Sequence, residues 1–161
     1  MTNEHRIPRD TRPRAYAGLE LLLDMMHLLR EATGLDHESI MIACAVNEAA
    51  MRPLLVGPNA PLHLVDVAEP RDDLRGSISR LAVSEVTGLP RETVRRKIKR
   101  LLEAGMLVEA ENGEVMPIRA LMEPQWQRIS DEGFAAVQRY DRRLRSLGCK
   151  GVSDQVANLP E

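Results

Sequence analysis

From about residue 15 to residue 33, Leu19, Leu21, Leu22, Leu23, Met25, Met26, Leu28 and Leu29 make the chain almost continuously apolar. At about 100° per residue, Glu20, Asp24, His27 and Glu31 align as one narrow polar strip. A surface helix keeps a wider polar face, so this pattern predicts a helix that needs burial on more than one side. Either a dimer interface through Leu19, Leu22, Leu23, Met26 and Leu29, or a central position within one chain, would supply it. Gly34 is the expected C-cap. Asp36 offers an N-cap to a second helix, with Leu35 and Ile40 placed as a hydrophobic staple, and Pro53 predicts its end near Met51. The following stretch, PLLVGPNAPLHLVDVAEPRDD, holds four prolines and reads as a connection, with a short strand expected at 62–67.

Beyond Gly76 the pattern becomes compact. A short helix is expected over 77–87 on Ile78, Leu81, Ala82 and Val86, ending at Gly88, and a second over 90–104, ending at Gly105. Two short extended runs, 106–109 and 114–118, flank Glu111-Asn112-Gly113, a hairpin signal. A last helix over 130–147 is expected to bury Phe134, Val137, Tyr140, Leu144 and Leu147, leaving Arg139, Arg142, Arg143 and Arg145 on its other side. The predicted fold class is mainly α with a small β-hairpin wing: a winged helix-turn-helix flanked by amino- and carboxy-terminal helices. Its divisions are a flexible basic arm (1–14), an oligomerisation and connecting region (15–75), the winged core (76–118), a closing helix (119–147) and a frayed tail (148–161). The helix at 36–51 is expected to pack beneath the winged core, which makes the boundary near 75 one of function rather than folding.

The helix at 90–104 carries the candidate chemistry. Val94, Ile98, Leu101 and Leu102 form its inner stripe; Glu92, Arg96, Lys99 and Arg100 lie opposite, with Thr93 and Arg95 at the margins. Between Arg91 and Arg100 six basic residues, Lys97 among them, stand against one acid. Arginine reads guanine O6 and N7 with paired hydrogen bonds, glutamate accepts from cytosine N4, and further cations hold phosphates. Arg91, Glu92 and Arg96 are therefore the candidate base contacts, and Thr93, Arg95, Lys99 and Arg100 the candidate phosphate contacts. Ser84 is small where two helices must approach, and Gly88 supplies the turn. The plainer reading of the same run is a solvated basic face with a Glu92–Arg96 ion pair.

The segment SEVTGLPRETVRRKIKRLLEAGMLVEAENGEV resembles the winged helix-turn-helix of bacterial transcription regulators. Through Arg91-Glu92-Thr93-Val94 it is similar to the DNA-reading segment of the catabolite activator protein family. That resemblance implies base contacts at Arg91, Glu92 and Arg96. Nothing similar to that family's cyclic-nucleotide domain precedes it, and the overall layout is closer to MarR-like dimeric regulators. Two features depart from the pattern: Pro90 replaces a capping Ser or Thr, and the hairpin carries Glu109, Glu111 and Glu114. An acidic tip is repelled by phosphate, so the wing is expected to stay out of the minor groove.

Composition sharpens this. Aromatics are 2% of the chain (Tyr16, Trp126, Phe134, Tyr140), which argues against modules that stack bases on aromatic platforms. The net charge of −2 is a cancellation, since the basic run at 91–100 is offset by five acids and one Arg between Glu103 and Glu123. His5, His27, His37 and His63 have no ligand spacing, no metal or other cofactor is expected, and no catalytic motif is present. Cys44, among Ile42, Ala43, Ala45 and Val46, reads as a buried reduced thiol; Cys149 is distant. No apolar run approaches membrane-spanning length and no secretory signal is visible, so the expected location is cytoplasmic. The sequence thus predicts a non-enzymatic, homodimeric regulator of double-stranded DNA, with room for an unidentified small-molecule or protein effector. The alternative is a winged-helix module for protein–protein recognition with no specific DNA target.

Overall fold

The computed structural model describes residues 7–67 and 71–150. These form the helices α1 (Thr11–Thr33), α2 (His37–Leu55), α3 (Arg80–Thr87), α4 (Arg91–Glu103) and α5 (Pro124–Ser146). An antiparallel hairpin, β1 (Leu107–Glu109) with β2 (Val115–Pro117), places Val108 opposite Met116. The protein is mainly helical with one small hairpin. It divides into two compact units, Met1–Thr33 with Gln127–Glu161, and Gly34–Trp126. None of the described helices is long and apolar enough to cross a membrane.

In the unit Gly34–Trp126, Ile42 and Val46 of α2, Val83 of α3, Val94, Ile98 and Leu101 of α4, and Leu107 and Val115 of the hairpin close one buried aliphatic core. Helix α2 begins where Asp36 accepts a hydrogen bond from the Ser39 N–H at 3.0 Å. It does not stop near Met51 as expected but runs through Pro53 to Leu55. Proline removes only its own donor, and the ladder resumes with Val56 N–H to Arg52 O at 2.9 Å. Gly76 passes this region so closely that a Cβ there would lie 2.1 Å from the Ala49 carbonyl oxygen. The expected strand at 62–67 is instead a 3-10 turn, Leu62–Leu64. Four of its amides are spent locally, among them Leu64 N–H on Pro61 O and Val65 N–H on Leu62 O, and these are lost to a ladder there.

Helix α3 begins at Arg80, not at 77. Ser79 caps it by accepting from the Ala82 N–H at 3.1 Å. Ile78 is extended and bridges Val115 through two backbone hydrogen bonds of 3.0 and 2.9 Å, adding a one-residue edge to the hairpin. Cys44 is exposed rather than buried. It sits two residues from both Ile42 and Val46, about 200° around the helix from the side that faces the core.

In the other unit, α1 begins at Thr11, so the expected arm is shorter: Thr11–Arg14 are helical and residues 1–6 lie outside the described ones. Helix α5 begins at Pro124 rather than 130, with proline at the first helical position, where its missing N–H costs nothing. The helices pair antiparallel through ion pairs, Glu20 with Arg143 at 2.8 Å, Asp24 with Arg139 at 2.7 Å and Glu31 with Arg128 at 3.6 Å. The narrow polar strip of α1 is thus its contact with α5. A Cβ added at Gly133 would meet the Met25 side chain at 3.5 Å, and Ala17, Leu28, Ala136 and Leu144 are buried. The large apolar residues face outward: Leu19, Leu22 and Leu23 are 59%, 56% and 68% exposed, and Met26 and Leu29 half-buried. The expected burial of Phe134, Val137 and Leu147 is likewise corrected, since all three are exposed and Tyr140 is half-buried. Where small residues and charges meet between two helices, the bulky apolar stripe is displaced to the opposite side. Gly148 ends the helical segment at φ 78°, and the tail from 151 lies outside the described residues.

Candidate nucleic-acid interface

Helix α4 is set by its neighbours on one side and bare on the other. Val94, Ile98 and Leu101 lie in the core, at the 3- and 4-residue spacing that keeps one face inward. Gly88 closes α3 in the left-handed conformation at φ 69°, which a residue with a Cβ adopts only under strain. The Ser84 hydroxyl donates to the Leu89 carbonyl at 2.6 Å, pinning the turn against α3. Pro90 then opens α4 with no side-chain cap.

Arg91, Glu92, Arg95, Arg96, Lys99 and Arg100 are all exposed on α4, with Thr93 half-buried, so the expected contact residues share one helix surface. Their pairing differs from the plain reading. Glu92 binds Arg95, not Arg96, accepting two hydrogen bonds of 2.9 and 2.6 Å from the guanidinium. That contact holds the Glu92 carboxyl below the usual carboxylate range and lifts the Arg95 value. Lys99 reaches Glu103 at 3.8 Å. Arg91, Arg96 and Arg100 form no ion pair with any described residue.

Lys97 leaves the basic face altogether. It is 7% exposed, and its Nζ donates to Asp36 Oδ2 at 2.6 Å and lies 3.3 Å from Glu38. Lys97 stands at i+3 from Val94 and i−4 from Leu101, on the inward stripe, which is the sequence signal that could have removed it from the basic set. The contact also drives Asp36 down to about 2, chiefly through the Lys97 hydrogen bond and then the Ser39 N–H, and raises Lys97. One carboxylate therefore caps α2 and tethers α4.

The hairpin's acids are mostly engaged within the fold. Arg80 of α3 spans Glu109 at 2.6 Å and the Gly113 carbonyl at 2.8 Å. Glu114 accepts from the Ser77 hydroxyl and from Asn112. Glu111 is left exposed at the tip, where Gly113 supplies φ 77°. Arg80, absent from the expected site, thus neutralises the wing position nearest α3. No group of three or more His, Cys, Asp or Glu among the described residues could hold a metal ion. No family model matches the chain, and neither a curated protein nor a solved structure matches it.

Proposed function

We propose that the chain is a sequence-specific regulator of double-stranded DNA, a winged helix-turn-helix in which α3 and α4 are the helix pair and the β1–β2 hairpin the wing. The observation that carries this reading is the outer face of α4, where Arg91, Arg96 and Arg100 are exposed and form no ion pair with any described residue, while the opposite face is locked into the core. Surface arginines usually find a carboxylate when one is near; three unpaired on one helix surface form a field suited to phosphate and guanine. The element order, with Ile78 as a one-residue edge before α3 and a hairpin after α4, supports the same reading. Arg91 and Arg96 are assigned to base edges and Lys99 and Arg100 to phosphates. Glu92 and Arg95 act as a unit, because either must release the other to reach DNA.

The protein works in the cytoplasm as a homodimer, its second copy covering Leu19, Leu22 and Leu23, so that two α4 helices meet half-sites about 34 Å apart on a palindromic site. The test is fluorescence anisotropy against a selected DNA pool at several salt concentrations. Binding should weaken steeply with salt, and Arg96→Ala should cost about 1–3 kcal/mol and relax preference at one base pair. A protein that shows no salt-sensitive DNA binding even at low ionic strength is not a DNA regulator; the protein-recognition module then takes its place.

A further inference from the structure

On α4, Arg95 gives both its Nε and an Nη to the carboxylate of Glu92, at 2.9 and 2.6 Å. Two parallel hydrogen bonds are the most specific geometry an arginine and a carboxylate adopt. Glu92 stands in the first turn of a helix that has no side-chain cap, where a negative charge is favoured. Its carboxyl lies below the usual range, held there first by Arg95 and further by the charge of Arg96, so it is ionised at neutral pH. Both side chains are exposed, Glu92 at 73% and Arg95 at 65%, and an exposed pair is held only weakly. Either partner can therefore be exchanged for another at small cost.

The two residues do not point the same way. At about 100° per residue, Arg95 lies about 60° around the helix from Glu92, towards its flank. A helix in a major groove turns its outermost amino-terminal side chains to the base edges and its flanks to the phosphate walls. In that docking Glu92 faces the bases and Arg95 faces a wall. Phosphate repels a carboxylate. The groove satisfies one only where a base offers an amino group, cytosine N4 or adenine N6.

Resting on the assignment of α4 to DNA, we propose that the Glu92–Arg95 pair is a sequence-dependent switch. It stays closed on a duplex that offers Glu92 no amino group, and opens on a site that offers one, releasing Arg95 to a phosphate. Arg95 then determines specificity without touching a base. Each phosphate neutralised adds about 0.9 to the slope of log affinity against log salt, so the extra contact is countable. The test measures fluorescence anisotropy over a salt series on two duplexes, one selected from a random pool and one scrambled to the same composition. Wild type is compared with Glu92→Ala and with the double variant Glu92→Ala/Arg95→Ala. Alanine is the best helix former, so α4 is retained, which circular dichroism checks. The double variant keeps the net charge. It should bind the scrambled duplex as the wild type does, and the selected one at least about tenfold more weakly, with a slope lower by about 0.9. Glu92→Ala alone should tighten the scrambled duplex about fivefold at about 0.1 M salt and raise its slope by about 0.9. The proposal is overturned if the double variant changes neither duplex, which makes the pair plain solvated surface. It is equally overturned if both duplexes weaken alike, which makes Arg95 an ordinary phosphate contact. A wild type that binds neither duplex removes the DNA assignment itself, and the switch with it, so the two failures are distinct.

Discussion

The two units place their residues in opposite ways. In Gly34–Trp126, aliphatic side chains from α2, α3, α4 and the hairpin meet in the interior, and most of the charge of α4 faces out. In the unit of α1 and α5, carboxylates and guanidinium groups join the helices to each other, and Leu19, Leu22, Leu23 and Phe134 face out. Exposed ion pairs contribute little each, so the helix pair holds itself weakly, whereas the aliphatic core carries a full hydrophobic contribution. One unit buries an aliphatic core within itself; the other leaves its large apolar side chains on the surface, where the proposed second copy would cover them.

The sharpest way to break this contrast is at Ile98, fully buried in the core. Ile98→Ala should cost about 2–5 kcal/mol in urea unfolding, and a loss under about 1 kcal/mol would mean the core is not the source of stability. The exposed face is expected to behave differently. Leu19, Leu22 and Leu23 replaced together by Ser should weaken self-association at least about 100-fold by sedimentation, equivalent to about 2.7 kcal/mol, while the unit Gly34–Trp126 keeps its structure. Unchanged self-association would remove that face from the interface.

Asp36 joins the two themes, because it is a charge that serves the core. Asp36→Asn keeps an N-cap but loses the charge facing Lys97, and should destabilise by about 1 kcal/mol at neutral pH. The Asp36 value is depressed from 3.8 to about 2 in the fold, so its contribution is complete above about 4 and is lost as pH falls towards 2. Wild type and variant should therefore converge in stability across that window, and a constant difference down to pH 2 would show that the charge is not what matters. The smallest effect belongs to the helix pair's ion links. Arg139→Ala should change stability marginally at low salt and not measurably at 1 M salt. A large, salt-independent loss would make those links structural rather than supplementary.

Much of Gly34–Trp126 was legible because its signals are local. Gly88, the inward stripe of α4 and Glu111-Asn112-Gly113 each act within a few residues, and the structure places them as their chemistry directs. Local signals mislead where the deciding partner lies far along the chain. Lys97 looked like one cation among six until Asp36, distant by 61 positions, claimed it. The 62–67 run had a strand's alternation but no strand to pair with. Phe134 and Val137 form an apolar stripe, and periodicity marks a stripe without saying whether its cover is the same chain or another. For α5 the start signal, Pro124 at the first helical position, is local and stands in the sequence itself. In the proposed DNA reading, the base each exposed Arg would meet depends on the DNA sequence as much as on the protein.

The tether from Lys97 has a mechanical consequence. A rod seated on one row of aliphatic contacts can still roll about its own axis, because such contacts are non-directional. A hydrogen-bonded cation reaching sideways to the anchored end of α2 gives the rod a second point of support, and rolling stops. With charged tips at least about 6 Å from the axis, a roll of about 10° displaces them by about 1 Å. Two parallel hydrogen bonds to one guanine tolerate little of that. The azimuth at which Arg91 and Arg96 would face DNA in the proposed reading is therefore held by a lysine turned inward, away from that face.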